Sequence, residues 1–396
     1  MKYFDYDLEF LQSKGAIYTA REINDQPNVW KETYNKVVSE KSELIGFWQS
    51  AVQICSKIIL TGAGTSAYIG LSLEGAFQKS SGITTVAIPT THLITHPAEY
   101  FQANVPTLLV SFARSGNSPE SEAAHKLADS LCEKVFHLVI TCDSNGKLAR
   151  YTSVNPQYTL VLPEDSNDKS LAMTSSYTNM LLAGLLIKDL EHINLLNNKI
   201  KILAEYGNVL ISKFSEPLKK IAQLNFDRAV FLGSGPFYGT ATESNLKLQE
   251  LTDGNIVCKS DTFLAFRHGP KAVVNEHTIV VYFFSNNPYV YQYERDLVRN
   301  MQKGKMPMFQ LGISQQPLSD IKLDYQIDLS KYVQELQIED EYFTVCAVIM
   351  AQLLGFFKSL IIGLKPDNPS VLGAISRVVE GVVIYDLNKY SEINQL

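Results

Sequence analysis

Short apolar runs ending in small polar turns recur along this chain, and each is followed by a stretch in which apolar residues return at helical spacing. Lys57–Thr61, Thr84–Pro89, a run ending at Ser111, Val135–Thr141 and Tyr158–Pro163 read as strands, with helices over Ala67–Lys79 and from Pro119 to Lys134. Strand, loop and helix in alternation give an α/β fold with a doubly wound parallel sheet, whose ligands lie outside the carboxyl ends of the strands. Ahead of this pattern, residues 1–44 form a helical lead-in. There Thr19 stands as the cap of a helix beginning near Ala20, with Glu22 at capping-box spacing, and Pro27 breaks the helix before it resumes towards Val52.

The pattern then repeats. Leu60–Ser66 is echoed by Phe231–Phe237, so that Gly62 and Gly64 fall on Gly233 and Gly235. The strand ending at Ser111 is echoed by Ile279–Ser285, and the strand ending at Cys142 by one ending near Ile313, all at a separation of about 171 residues. Two similar doubly wound parallel-sheet domains follow: residues 45–214, including a linker helix, and residues 215–364, with 365–396 as a C-terminal tail.

Two loops in the first copy carry candidate chemistry. Gly62-Ala63-Gly64-Thr65-Ser66 sets glycines for a tight turn and hydroxyls at a helix N-terminus. Arg114-Ser115-Gly116-Asn117-Ser118 lies between a strand and a helix opened by Pro119 and Glu120, an arrangement suited to a phosphate monoester. In the second copy the counterpart is Ser285-Asn286-Asn287-Pro288-Tyr289, with altered hydroxyls and a lost donor at Pro288, so that cradle is expected to be gone. No acidic residue closes the strand after Gly64, which argues against a nicotinamide site. His92 and His96 are flanked by Pro89 and Pro97 and lack an obvious third ligand, so they suit a substrate-facing loop better than a metal.

Composition narrows the field. A chain of 396 residues, 45% hydrophobic and 19% charged, can build more than one substantial core. A net charge of -6 without a long Lys/Arg run argues against a nucleic-acid surface. The five cysteines are scattered without a CxxC pair, and the N-terminus is acidic where a signal peptide is basic, so a cytoplasmic protein is expected. Val345–Leu364 has the length of a membrane span but carries Gln352 and Lys358, which favours a buried or dimer-facing helix.

The motifs GAGTSAYIG, SFARSGNSPESE, LKLQELTDGN and RHGP resemble the sugar isomerase (SIS) domain family, in the double-domain form found in the isomerase half of glucosamine-6-phosphate synthase. With the segment EINDQP at Glu22–Pro27 and the overall length, the chain is similar to the tagatose-6-phosphate ketose/aldose isomerase group, whose members include galactosamine-6-phosphate deaminases. The resemblance implies a sugar-phosphate substrate held by Gly64, Thr65, Ser66, Arg114, Ser115, Asn117 and Ser118, with Thr174 and Ser175 lining the sugar. It implies Glu250 as the carrier of a proton between C1 and C2, and His268, contributed by a neighbouring subunit, as the residue that assists ring opening. It implies no metal or cofactor, and at least a homodimer.

One departure bears on the direction of the reaction. The synthase carries a tail lysine five residues after a proline, whereas Pro369 is followed at that spacing by Ala374, with Arg377 the nearest cation. With no glutamine-hydrolysing domain expected either, the ammonia-releasing direction is favoured. The alternatives left open are plain aldose/ketose isomerisation and a non-catalytic sugar-phosphate sensor.

Overall fold

A computed structural model describes residues 2–333, 337–379 and 381–389. It opens with a small antiparallel hairpin, β1 (Lys2–Tyr3) and β2 (Tyr6–Asp7), and then the helices Leu8–Ser13, Ile17–Ser39 and Lys41–Ile54. The first sheet holds β3 (Lys57–Thr61), β4 (Thr84–Ala87), β5 (Thr107–Ala113), β6 (Val135–Thr141) and β7 (Gln157–Val161), all parallel, in the order β4-β3-β5-β6-β7. The second holds β8 (Arg228–Gly233), β9 (Val257–Asp261), β10 (Thr278–Phe283), β11 (Phe309–Ser314) and β12 (Tyr325–Asp328), also parallel, in the order β9-β8-β10-β11-β12. The two orders are the same. In each, chain direction across the sheet reverses between the first and third strands, which is where an open α/β sheet leaves a crevice.

Strand residues alternate between two apolar layers. Ile58, Leu60, Leu108 and Val110 join a core that continues into the second sheet through Phe231, Val281 and Ile313. Ile59, Leu109 and Val135 face the other way, against Ala124 and Ala128 of the helix Pro119–Leu131. Alternation with burial on both faces is what a parallel sheet sandwiched by helices requires. Between the sheets the helices Thr65–Ser81 and Pro236–Leu251 pack together, and Gly239 is what lets them approach. A Cβ there would lie 2.2 Å from the Ser72 hydroxyl and 2.7 Å from backbone of the facing helix.

The apolar C-terminal stretch is interior. Asp340–Ile361 is long and apolar enough to cross a membrane, yet 89% of its apolar window is buried inside the protein. Two of its polar residues have internal partners: Gln352 accepts from Gln26 Nε2 at 2.8 Å, and Lys358 Nζ donates to the carbonyls of Ala222 and Leu224.

Two readings of the lead-in need correction. Pro27 does not break the helix, which runs unbroken from Ile17 to Ser39. Proline there deprives the Ile23 carbonyl of its usual donor, and the Gln26 side-chain amide supplies the missing hydrogen bond at 3.1 Å. Nor does Thr19 cap a helix; it lies inside one, with its backbone N–H and hydroxyl both donating to Asp367 Oδ1 at 2.8 Å. Glu22 is likewise turned away from a capping box and accepts from Ser170 N and Oγ.

Candidate active site

A cavity of about 570 Å³ opens at the carboxyl ends of β3 and β5, within the usual size range for a small-molecule site. One wall comes from the loop after β3. Gly64 has φ of +55°, a conformation that disfavours any side chain, and it turns the chain so that Thr65 and Ser66 open the helix Thr65–Ser81 at the cavity. The second wall is the loop after β5, which brings Ser115, Gly116 and Ser118 to the same space. Pro119 and Glu120 start the next helix there. Hydroxyls and two helix N-termini converging at one place favour an anion by hydrogen bonding and by partial positive charge.

Glu250, near the end of the helix Pro236–Leu251, lines the same cavity. The same helix presents Glu243, Lys247 and Glu250 on one side. Lys247 Nζ lies 2.5 Å from Glu250 Oε2 and 3.4 Å from Glu243 Oε1, and donates to Thr65 Oγ1 at 3.1 Å. Lys247 and Glu243 are fully buried, whereas the Glu250 side chain keeps 20% of its surface towards the cavity. Burial, with the neighbouring Lys247 opposing it and Glu250 adding to it, pushes the Glu243 carboxyl up to about 8, while the two carboxylates outweigh desolvation and raise the Lys247 ammonium. A charged lysine is thus enclosed between two carboxyls and bridges them to the hydroxyl loop. The sequence reading missed Glu243 and Lys247. Their spacing of four and three residues up to Glu250 was the available signal.

The C-terminal tail supplies a third wall, through Gly373–Val379. Arg377 Nε donates to the Asp168 carbonyl at 3.0 Å and its Nη2 to Asn167 Oδ1 at 3.1 Å. In return the Arg377 carbonyl accepts from Arg114 Nη2, while Arg114 Nη1 donates to the Leu171 carbonyl at 3.1 Å. Arg114 therefore lines the cavity while its guanidinium fastens the tail and the 170–171 loop. Ala374 also lines the cavity.

Other candidates lie elsewhere. Thr174 and Ser175 are buried at the start of the helix Ser175–Lys188, where their backbone N–H groups donate to Asp168 at 2.9 Å, and they do not line the cavity; Met173 and Leu171 do. A helix N-terminus needs an acceptor, and Asp168 uses these residues as its donors. Asn117 turns its Oδ1 to the Lys147 N–H at 3.1 Å, which ties the loop to its neighbour instead of facing the cavity. His268 is exposed, just beyond the short helix Phe263–Phe266, and is not part of the cavity wall of its own chain. His92 lies on the helix Thr90–Thr95 with His96 at its end; both are exposed and away from the cavity, so the substrate-facing loop read there is instead a surface helix.

Comparison with known proteins places this arrangement. Residues 53–187 match the SIS domain. The D-galactosamine-6-phosphate deaminase AgaS of a Shewanella species is 36% identical over 387 residues, covering 96% of this chain and 95% of that protein. The crystal structure of a Clostridium novyi protein superposes with a TM-score of 0.93 at 38% identity, covering 98% of this chain and 99% of the other. That of tagatose-6-phosphate ketose/aldose isomerase from Escherichia coli does so with a TM-score of 0.84 at 33% identity, covering 93% and 97%. With near-complete coverage at such identity, and a cavity at the crevice of the first of two like sheets, the chain belongs to the AgaS family of SIS-domain proteins.

Proposed function

We propose that the chain is an aminosugar-phosphate deaminase/isomerase that converts galactosamine 6-phosphate to tagatose 6-phosphate and ammonia. The observation that carries this reading is that the hydroxyl loops at Thr65, Ser66, Ser115 and Ser118 and the carboxylate of Glu250 line one and the same cavity. The loops hold the 6-phosphate, and the far end of an open-chain hexosamine reaches the carboxylate. The names and full-length similarity of the AgaS relative and of the Escherichia coli isomerase support the same substrate class.

The chemistry then runs in four steps. The sugar ring is opened by moving a proton from the anomeric hydroxyl to the ring oxygen. We assign that step to His268, which is exposed on its own chain and is delivered to the cavity of a neighbouring subunit in a homodimer or larger assembly. Glu250 removes the proton from C2, giving an enolamine, and returns it to C1, leaving an imine at C2. Water adds to the imine and ammonia departs, so the ketose phosphate carries the oxygen of that water. Lys247 sets its positive charge against the carboxylate that cycles between charged and neutral forms. The same proton transfer on a substrate with a 2-hydroxyl would be plain aldose/ketose isomerisation.

An ammonia-release assay over galactosamine, glucosamine and hexose 6-phosphates tests the reading. Ammonia from galactosamine 6-phosphate is expected. Turnover of hexose phosphates alone would make the protein an isomerase, and binding without turnover would make it a sensor.

A further inference from the structure

The second sheet repeats the first down to its crevice. Gly62 and Gly233 both abut the helix that follows, where an added Cβ would come within 2.6 Å and 2.3 Å of backbone or side chain. Gly64 and Gly235 share φ of +55° with ψ of -128° and -126°. After β5 the Asn117 N–H donates to Ser115 Oγ at 3.3 Å, and after β10 the Asn287 N–H donates to Ser285 Oγ at 3.0 Å. By strand register Ser285 falls on Arg114, but by this turn it is the counterpart of Ser115, one residue sooner in a shorter loop. The sequence reading of a lost cradle therefore needs revision, because the serine and its turn are retained.

What differs is the occupant. Ser285 Oγ donates to Asp340 Oδ2, and the Asn286 N–H donates to Asp340 Oδ1 at 2.9 Å. The Ser285 N–H donates to Glu294 Oε2 at 2.9 Å, and Glu294 is fully buried. Neither carboxyl is paired with a lysine or arginine among the described residues. Two further polar atoms here, Glu294 Oε1 and Asn286 Oδ1, are buried without a hydrogen-bond partner. Carboxyl groups that draw on backbone N–H groups and a hydroxyl, with no cation, are what a nest built for an external oxyanion would contain if closed from within.

We propose that the second sheet keeps an oxyanion cradle and that the chain fills it with its own Asp340 carboxylate, in the place a phosphate takes in the first cradle. The comparison rests on the phosphate role given to the first cradle above. Asp340 opens the helix Asp340–Ala347, which leads directly into the core helix Ile349–Ile361. The filled cradle thus fixes that helix to β10 and leaves one substrate site per chain.

Calorimetric titration of the full chain with inorganic phosphate tests this. The wild-type count reports on the first cradle, and the change in count on mutation reports on the second, so failure of either reading is recognised separately. Asp340→Ala is expected to bind one more phosphate per chain than wild type, and Asp340→Ala combined with Ser285→Ala to lose that extra site. Refolding of Asp340→Ala is expected to improve in phosphate. A folded Asp340→Ala with the wild-type count would overturn the proposal. So would an Asp340→Ala chain that stays unfolded in saturating phosphate, or a wild-type protein that loses a phosphate on Ser285→Ala alone.

Discussion

The ammonium of Lys247 sits 2.5 Å from Oε2 of Glu250, and Lys247 has no exposed surface with which to meet water instead. Its charge is satisfied by two carboxyls on its own helix and by Thr65 of the first sheet's loop. The proton carrier proposed for catalysis is thereby joined to the proposed phosphate cradle through one buried cation.

Lys247→Met keeps the unbranched stem of the side chain and removes the charge. Glu250 then loses the buried cation beside it while Glu243, already pushed up to about 8, keeps its proton, so the broken pair costs at most about 3–5 kcal/mol of stability. Urea denaturation should show this loss, and activity measured where the variant is still folded should fall sharply. Unchanged midpoint and activity would show that the charge is not needed there.

The phosphate cradle has a direct test. Ser115→Ala together with Ser118→Ala should weaken substrate binding by roughly 2–4 kcal/mol, at about 1.5–3 per charge-assisted bond less compensation. The fold should persist, because neither hydroxyl is needed by the core. An unchanged KM in the folded double variant would move the phosphate elsewhere.

The tail is fastened by Arg377, whose guanidinium donates to the Asp168 carbonyl and to Asn167. Arg377→Ala should free the 371–379 segment to limited proteolysis and raise KM, with little change in the unfolding midpoint. A tail as protected as in wild type would mean that Arg114 alone fastens it.

Stability should depend on pH through Glu294. Burial pushes its carboxyl from the ordinary 4.5 up to about 8. Between those values the folded protein keeps a proton that the unfolded chain has released, so this group's contribution to stability falls as pH rises and levels off above about 8. One proton corresponds to a slope of about 1.4 kcal/mol per pH unit. Glu294→Gln should flatten the decline in unfolding free energy between pH 5 and about 8 by up to that amount. An identical slope in the variant would place the titration elsewhere.

Much of this fold was legible because strands and glycine turns obey local rules. The end of β3, the positive φ at Gly64 and its echo at Gly235 follow from short apolar runs meeting Gly-x-Gly. Pro27 misled because its cost is local but its remedy, the Gln26 amide on Ile23, is a side-chain choice that spacing does not reveal. Thr174 and Ser175 misled in the opposite way, since a helix start serves a buried Asp168 as readily as a ligand: both backbone N–H groups and the Thr174 hydroxyl donate to it. The charged stripe of Glu243, Lys247 and Glu250 has a spacing that a solvated helix face shares, and as a stripe it was not read at all. Only the close crossing at Gly239, a tertiary fact, turns it inward. The tail has no periodicity to read, and its place on the cavity wall comes from two arginines distant in sequence.

In the proposed reaction Glu250 carries the proton between C2 and C1. Glu250→Gln keeps the size of the side chain and its place beside Lys247 but cannot accept that proton. Ammonia release from galactosamine 6-phosphate by the folded variant is the measurement to make. It should fall by about two to four orders of magnitude with substrate binding little changed. Near-normal ammonia release would contradict a proton carrier at Glu250 and show that another residue is the base.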